Sequence, residues 1–127
     1  MLNIIEERIK RLKKTNIEIT RGDDATLVLP IFIETNGVST PYTIQPGDTF
    51  ALEVRNTPVK DNVSATMIMF DGTLSVDDGK LVWSISSTDT TQDAGVYYWD
   101  CQIATGGKVY TFYSGTFTIL PEVTLDE

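Results

Sequence analysis

Thr88-Asp89-Thr90-Thr91-Gln92-Asp93-Ala94-Gly95-Val96-Tyr97-Tyr98-Trp99-Asp100-Cys101 is the stretch whose reading decides the fold. A polar, turn-rich approach ends at Gly95. Beyond it Tyr97, Trp99, Cys101 and Ile103 alternate with Tyr98, Asp100 and Gln102. Period two is the period of a β-strand, with one side chain set on the buried face and the other in water.

The same alternation extends outward in both directions. Phe50, Leu52 and Val54, then Leu81, Trp83 and Ile85, then Phe117 and Ile119 form further buried sets, with Glu53 and Arg55 facing away. Strands are expected at 16–20, 25–34, 38–44, 49–56, 63–70, 80–86, 96–104, 108–113 and 116–120, and no helix after residue 16. Turn chemistry separates them at Asn36-Gly37, Pro46-Gly47-Asp48, Thr57-Pro58, Asp71-Gly72, Asp77-Asp78-Gly79 and Gly106-Gly107, most of them expected to be hairpins. Short strands at this spacing are the signature of an all-β sandwich or barrel.

Asp93, Gly95 and Tyr97 resemble, in spacing, the corner before the F strand of immunoglobulin domains, whose pattern is Asp-x-Gly-x-Tyr-x-Cys. The resemblance implies an immunoglobulin-like antiparallel β-sandwich. It also implies a tight turn in which Gly95 permits close backbone approach and the Tyr97 hydroxyl bonds back to the turn. Trp99 stands where that pattern has its bridging cysteine. With Cys101 the single cysteine no internal disulfide forms, and Trp99 and Trp83 are the large side chains available to fill the core.

The order of three further motifs resembles the N-terminal domain family of phage baseplate upper proteins and related prophage tail proteins. They are Arg21-Gly22-Asp23, Gly95-Val96-Tyr97-Tyr98-Trp99-Asp100-Cys101-Gln102, and Gly115-Thr116-Phe117-Thr118-Ile119 with Pro121-Glu122-Val123-Thr124 after it. The resemblance spans about residues 18–124. It implies a bacteriophage virion structural protein, a tail- or baseplate-associated adaptor or assembly module. Its expected partners are other virion proteins and copies of itself, and its expected location is the virion, assembled in the host cytoplasm. Family members often continue into fibre or receptor-binding regions; a free-standing adaptor, a head-decoration or fibre-anchoring protein, or one domain of something longer all fit. A carbohydrate-recognition module is the alternative reading.

Upstream, Leu2, Ile5, Ile9 and Leu12 recur at three- and four-residue spacing among charged residues, which predicts an amphipathic helix over 2–14. Its apolar stripe would cover the chain's own sandwich or assemble with copies of itself. The expected organisation is a helix over 1–15, the sandwich over 16–121 and a tail over 122–127. Glu6, Glu7 and the basic run interrupt any signal-peptide core, so general secretion is not expected. No apolar run reaches the 18 or so residues of a membrane span, so no membrane partner is expected.

Charge and chemistry narrow the function. Residues 1–21 carry six basic and three acidic side chains, whereas 22–127 carry four and fifteen, so the head is +3 and the body −11. An acidic body repels phosphate backbones, which argues against nucleic-acid binding. Histidine is absent, removing the commonest general base and metal ligand, and Cys101 falls on a buried face as a core filler. The loop carboxylates Asp23, Asp24, Asp77, Asp78, Asp89 and Asp93 read as turn residues before calcium ligands. Arg21-Gly22-Asp23 reads as a strand entrance, not as an integrin-type tripeptide. The late aromatics Tyr97, Tyr98, Trp99, Tyr110, Phe112 and Tyr113 read as core or interface before sugar platform. No catalytic residue, cofactor or metal is expected.

Overall fold

The computed structural model describes residues 7–12, 14–56 and 68–123. Among them the chain is all-β apart from one short helix. The strands are β1 (Glu7–Ile9), β2 (Ile17–Thr20), β3 (Ala25–Leu29), β4 (Phe32–Thr35), β5 (Val38–Pro41) and β6 (Thr49–Arg55). After them come β7 (Ile68–Asp71), β8 (Thr73–Asp77), β9 (Lys80–Ile85), helix α1 (Ser87–Thr90), β10 (Gly95–Thr105) and β11 (Lys108–Leu120).

They form a five-stranded sheet β2-β11-β10-β6-β7 and two three-stranded sheets, β3-β9-β8 and β1-β4-β5. Pairing is antiparallel except for β2, which runs parallel to β11. Rings join the first two sheets: Trp83 of β9 lies 5.2 Å from Trp99 of β10 and 5.7 Å from Phe117 of β11. Of the side chains assigned to the core by alternation all are buried except Phe50, which is partly buried against it. Ile9, Ile19, Leu29, Ile31, Phe112 and Tyr113 complete the core.

The expected N-terminal helix is corrected where the chain is described. Leu2 and Ile5 lie outside the described residues, but Glu7–Ile9 is a strand pairing with β4 at Glu7↔Thr35, Arg8↔Glu34 and Ile9↔Ile33. The segment then transfers between sheets. Lys10 N–H donates to Phe32 O, Leu12 N–H to Phe112 O and Thr15 N–H to Ser114 O before β2 begins. Sheet pairing satisfies these backbone groups and burial takes up Ile9 and Leu12. A lone three-turn helix bonds its inner backbone groups but is marginal in water and buries no apolar stripe.

Other boundaries moved for local reasons. Pro30 lacks an N–H, and the single strand expected over 25–34 breaks there into β3 and β4. At Gly72 the chain crosses between sheets instead of turning a hairpin, since β7 pairs with β6 and β8 with β9. Strand β8 was not anticipated, because its alternation rests on Leu74 and Val76 alone between two turn signals. Helix α1 was not either, although Ser86 and Asp89 form a capping box, each side chain accepting from the other's backbone N–H. The strands expected at 108–113 and 116–120 are one, β11, with a bulge at Cys101/Gln102 on its partner's register. Thr57-Pro58 and positions 63–67 lie outside the described residues.

Candidate functional site

The corner residues singled out by spacing are placed together at the start of β10. The Tyr97 hydroxyl donates to the Asp93 carbonyl at 2.6 Å. Burial, and then the Asp93 charge, hold its pKa above the ordinary tyrosine value. Gly95 is required for its φ of 155° and not for close approach, because nothing lies within 4 Å of where its Cβ would sit. Close approach occurs instead at Gly115, where an added Cβ would lie 1.9 Å from Thr15 O. Across the ladder from it Trp99 donates from Nε1 to the same Thr15 carbonyl at 3.0 Å. Trp99 thus locks the N-terminal segment onto the large sheet, and its ring stacks on Tyr113 at 5.8 Å.

Several residues with apparent chemical potential are structural. Arg21 donates to Gln92 O at 3.0 Å and to Glu122 at 2.8 Å, so the Arg21-Gly22-Asp23 entrance is tied to the corner and the C-terminal segment. Asp24 accepts from Ser87 N–H at 2.6 Å, and Asp23 O from the Thr90 hydroxyl at 2.8 Å. Cys101 is fully buried, and desolvation, followed by the neighbouring Asp100 charge, pushes its thiol up to about 12. Such a thiol is not a nucleophile at neutral pH. Among the described residues no group of three or more potential ligand side chains is placed to hold a metal ion.

A cleft of about 370 Å³ opens on the outer face of the five-stranded sheet. Strand register builds its floor: Asp100 lies directly opposite Glu53 on β6 and Ser114 on β11, and Tyr98 opposite Arg55 and Thr116. The extended N-terminal segment supplies the other wall with Arg11, Lys14 and Asn16. Glu53 is engaged by Arg55 at 2.8 Å, and the Asn16 amide oxygen by the Thr116 hydroxyl at 2.9 Å. Asp100 is half-buried, and no side chain or backbone donor among the described residues reaches its carboxylate. Its pKa is raised, first by desolvation and then by Glu53, with Arg55 opposing. Two carboxylates in direct cross-strand register are unfavourable, so the cleft keeps an arrangement that costs stability.

The other sheet presents a contrasting face. Thr26 and Val28 of β3, Val82 and Ser84 of β9, and Thr73 and Ser75 of β8 share its outer side by register, and its charged strand residues are the paired Asp77 and Lys80 at the β8–β9 turn. Val28 is 52% exposed there. Beside it an apolar groove of about 520 Å³ runs between Val28, Pro30, Phe32, Pro41 and the β8–β9 turn. The free edge of β5 is blunted. Tyr42 N–H bonds Ile31 O, so by antiparallel parity Pro41 turns its backbone outward, where it has no N–H to offer.

Of the residues expected to matter, Asp93, Gly95, Tyr97 and Trp99 come together as a folding device, Ile9 is core and Leu12 packs, partly buried, against it. Sequence reasoning listed Glu53, Arg55 and Asp100 only as a solvated face; it missed Arg11 and Lys14 as their wall because it had placed them on a helix. No family model matches the chain, and no curated protein matches it.

Proposed function

We propose that the chain is an immunoglobulin-like β-sandwich that serves as a non-enzymatic structural protein of a bacteriophage virion. In this reading it is a tail- or baseplate-associated adaptor that contacts other virion proteins and copies of itself. The immunoglobulin-like assignment is supported by strand order. Sheet β3-β9-β8 corresponds to strands B, E and D, and β11-β10-β6-β7 to G, F, C and C′, with Tyr97 as the tyrosine corner. The phage assignment rests on the motif order in the sequence.

The observation that carries the assembly reading is the outer face of β3-β9-β8, whose charged strand residues, Asp77 and Lys80, are opposite in sign and paired in register, on a chain of net charge −8. Identical chains repel through their carboxylates, and this face, where Lys80 offsets Asp77, lets two copies meet without opposing net charge. Three short strands bury little area, so the contact belongs to the weak class below about 1,200 Å² and becomes effective by avidity on a multi-copy particle. Sedimentation equilibrium of the full chain tests this. Reversible dimerisation that tightens with added salt, as the repulsion is screened, and is abolished by Val82→Asp is the expected result. A monomer at every concentration, or a dimer indifferent to Val82→Asp, refutes it.

A further inference from the structure

We infer that the cleft between the N-terminal segment and the outer face of β6-β10-β11 is a saccharide-binding site for a single pyranose ring carrying a carboxylate. It lies on the opposite sheet from the proposed assembly face, so neither reading depends on the other.

Most carboxylates near a donor are engaged: Asp24 by Ser87 N–H, Asp48 by the Tyr42 hydroxyl and Gln45 N–H, Asp89 by Ser86 N–H, Glu122 by Arg21 and Glu34 by Arg8. Asp100 is half withdrawn from water, beside Glu53, with no such donor among the described residues. Tyr98 stands apart in the same way. The aromatic cluster of Trp83, Trp99, Phe112, Tyr113 and Phe117 does not include its ring, and its hydroxyl has no partner among the described residues. Arg11 and Lys14 line the same cleft.

Unspent acceptors, an unstacked ring and two cations therefore converge on one open cleft. Its 370 Å³ is at the low end of ligand pockets, about 300–1,000 Å³. Each group has a counterpart on one kind of ligand. Ring hydroxyls donate to Asp100 and accept from Ser114, the C–H face of a pyranose packs on Tyr98, and a ring carboxylate meets Arg11 and Lys14. An apolar ligand would leave Asp100 desolvated and unpaired. A simple anion would use the cations alone and gain nothing from Tyr98.

The experiment is a ¹⁵N–¹H NMR titration of the full chain with methyl β-D-glucuronide and, separately, methyl β-D-glucoside. The glucuronide is expected to shift the amides of Tyr98, Asp100, Ser114 and Thr116 with a Kd on the order of 1 mM, as for a small polar ligand in an open site. The glucoside, lacking the carboxylate, is expected to bind roughly fivefold more weakly, and removing ring or acceptor by Tyr98→Ala or Asp100→Asn to weaken the glucuronide about tenfold. The variants' spectra report whether they fold, and Asp100→Asn keeps the side-chain bulk. Absence of shifts, shifts centred elsewhere, equal binding of the two sugars, or folded variants that bind like the parent would each overturn the assignment.

Discussion

Gly115→Ala tests how the N-terminal segment is held. In an exposed strand this change normally stabilises by roughly 0.4–1 kcal/mol, because it reduces the freedom of the unfolded chain. Here the sign should reverse. The new Cβ would sit 1.9 Å from Thr15 O, and since van der Waals contact lies near about 3.5 Å the Thr15 backbone must retreat by roughly 1.5 Å. The retreat breaks the bond from Trp99 Nε1 to Thr15 O and that from Thr15 N–H to Ser114 O, and strains that from Leu12 N–H to Phe112 O. At about 1 kcal/mol net for each bond, the loss outweighs the entropic gain and leaves a destabilisation of about 1–2.5 kcal/mol. Urea unfolding followed by tryptophan fluorescence reads this directly. A double-mutant cycle sharpens the test. Trp99→Phe removes one of the same bonds, so the pair should fall short of additivity by about 1 kcal/mol. If Gly115→Ala costs under about 0.5 kcal/mol, or stabilises as an ordinary strand glycine would, Thr15 does not pack against Gly115 as described.

Two further outcomes follow from the core and the cleft. Trp83 Nε1 is buried with no hydrogen-bond partner among the described residues, whereas Trp99 Nε1 has one. Trp83→Phe should therefore cost about 1–3 kcal/mol less than Trp99→Phe in the same urea assay, and equal costs would mean the Trp83 indole is satisfied. Asp100 has a raised folded pKa, so the native state binds its proton more tightly than the unfolded chain does. Stability due to this group is highest below its unfolded value near about 4 and falls as pH rises toward the folded pKa, then levels off. Asp100→Asn should accordingly stabilise the protein at pH 7 and make little difference near about pH 3. A gain that persists at low pH would assign the effect to something other than ionisation. Together with the expected loss of glucuronide binding, that gain would mark Asp100 as a residue kept for binding at the expense of stability.

Alternation makes most of the β-structure legible in the sequence. Wherever one face of a strand is buried and the other wet, period two has to appear in the residues, as it does in β6, β9 and β10. The corner at Asp93, Gly95 and Tyr97 was legible for a similar reason, because its bonds are local and its spacing is short. Residues 7–20 were not. Ile9 and Leu12 suit a helix stripe as well as they suit the core, and the choice was made by partners distant in the chain: Ile33, Phe112 and Ser114 supply the backbone pairing. Strand β8, Thr73–Asp77, alternates Leu74 and Val76 with polar residues, but over five residues and with little burial the pattern is too short to stand out. The cleft shows the same division. Glu53, Arg55, Tyr98 and Asp100 were visible as one polar face of two strands. Their meeting with Arg11 and Lys14 depends on a crossing between sheets that Gly115 permits by lacking a side chain, and such long-range packing leaves no periodic trace in the chain.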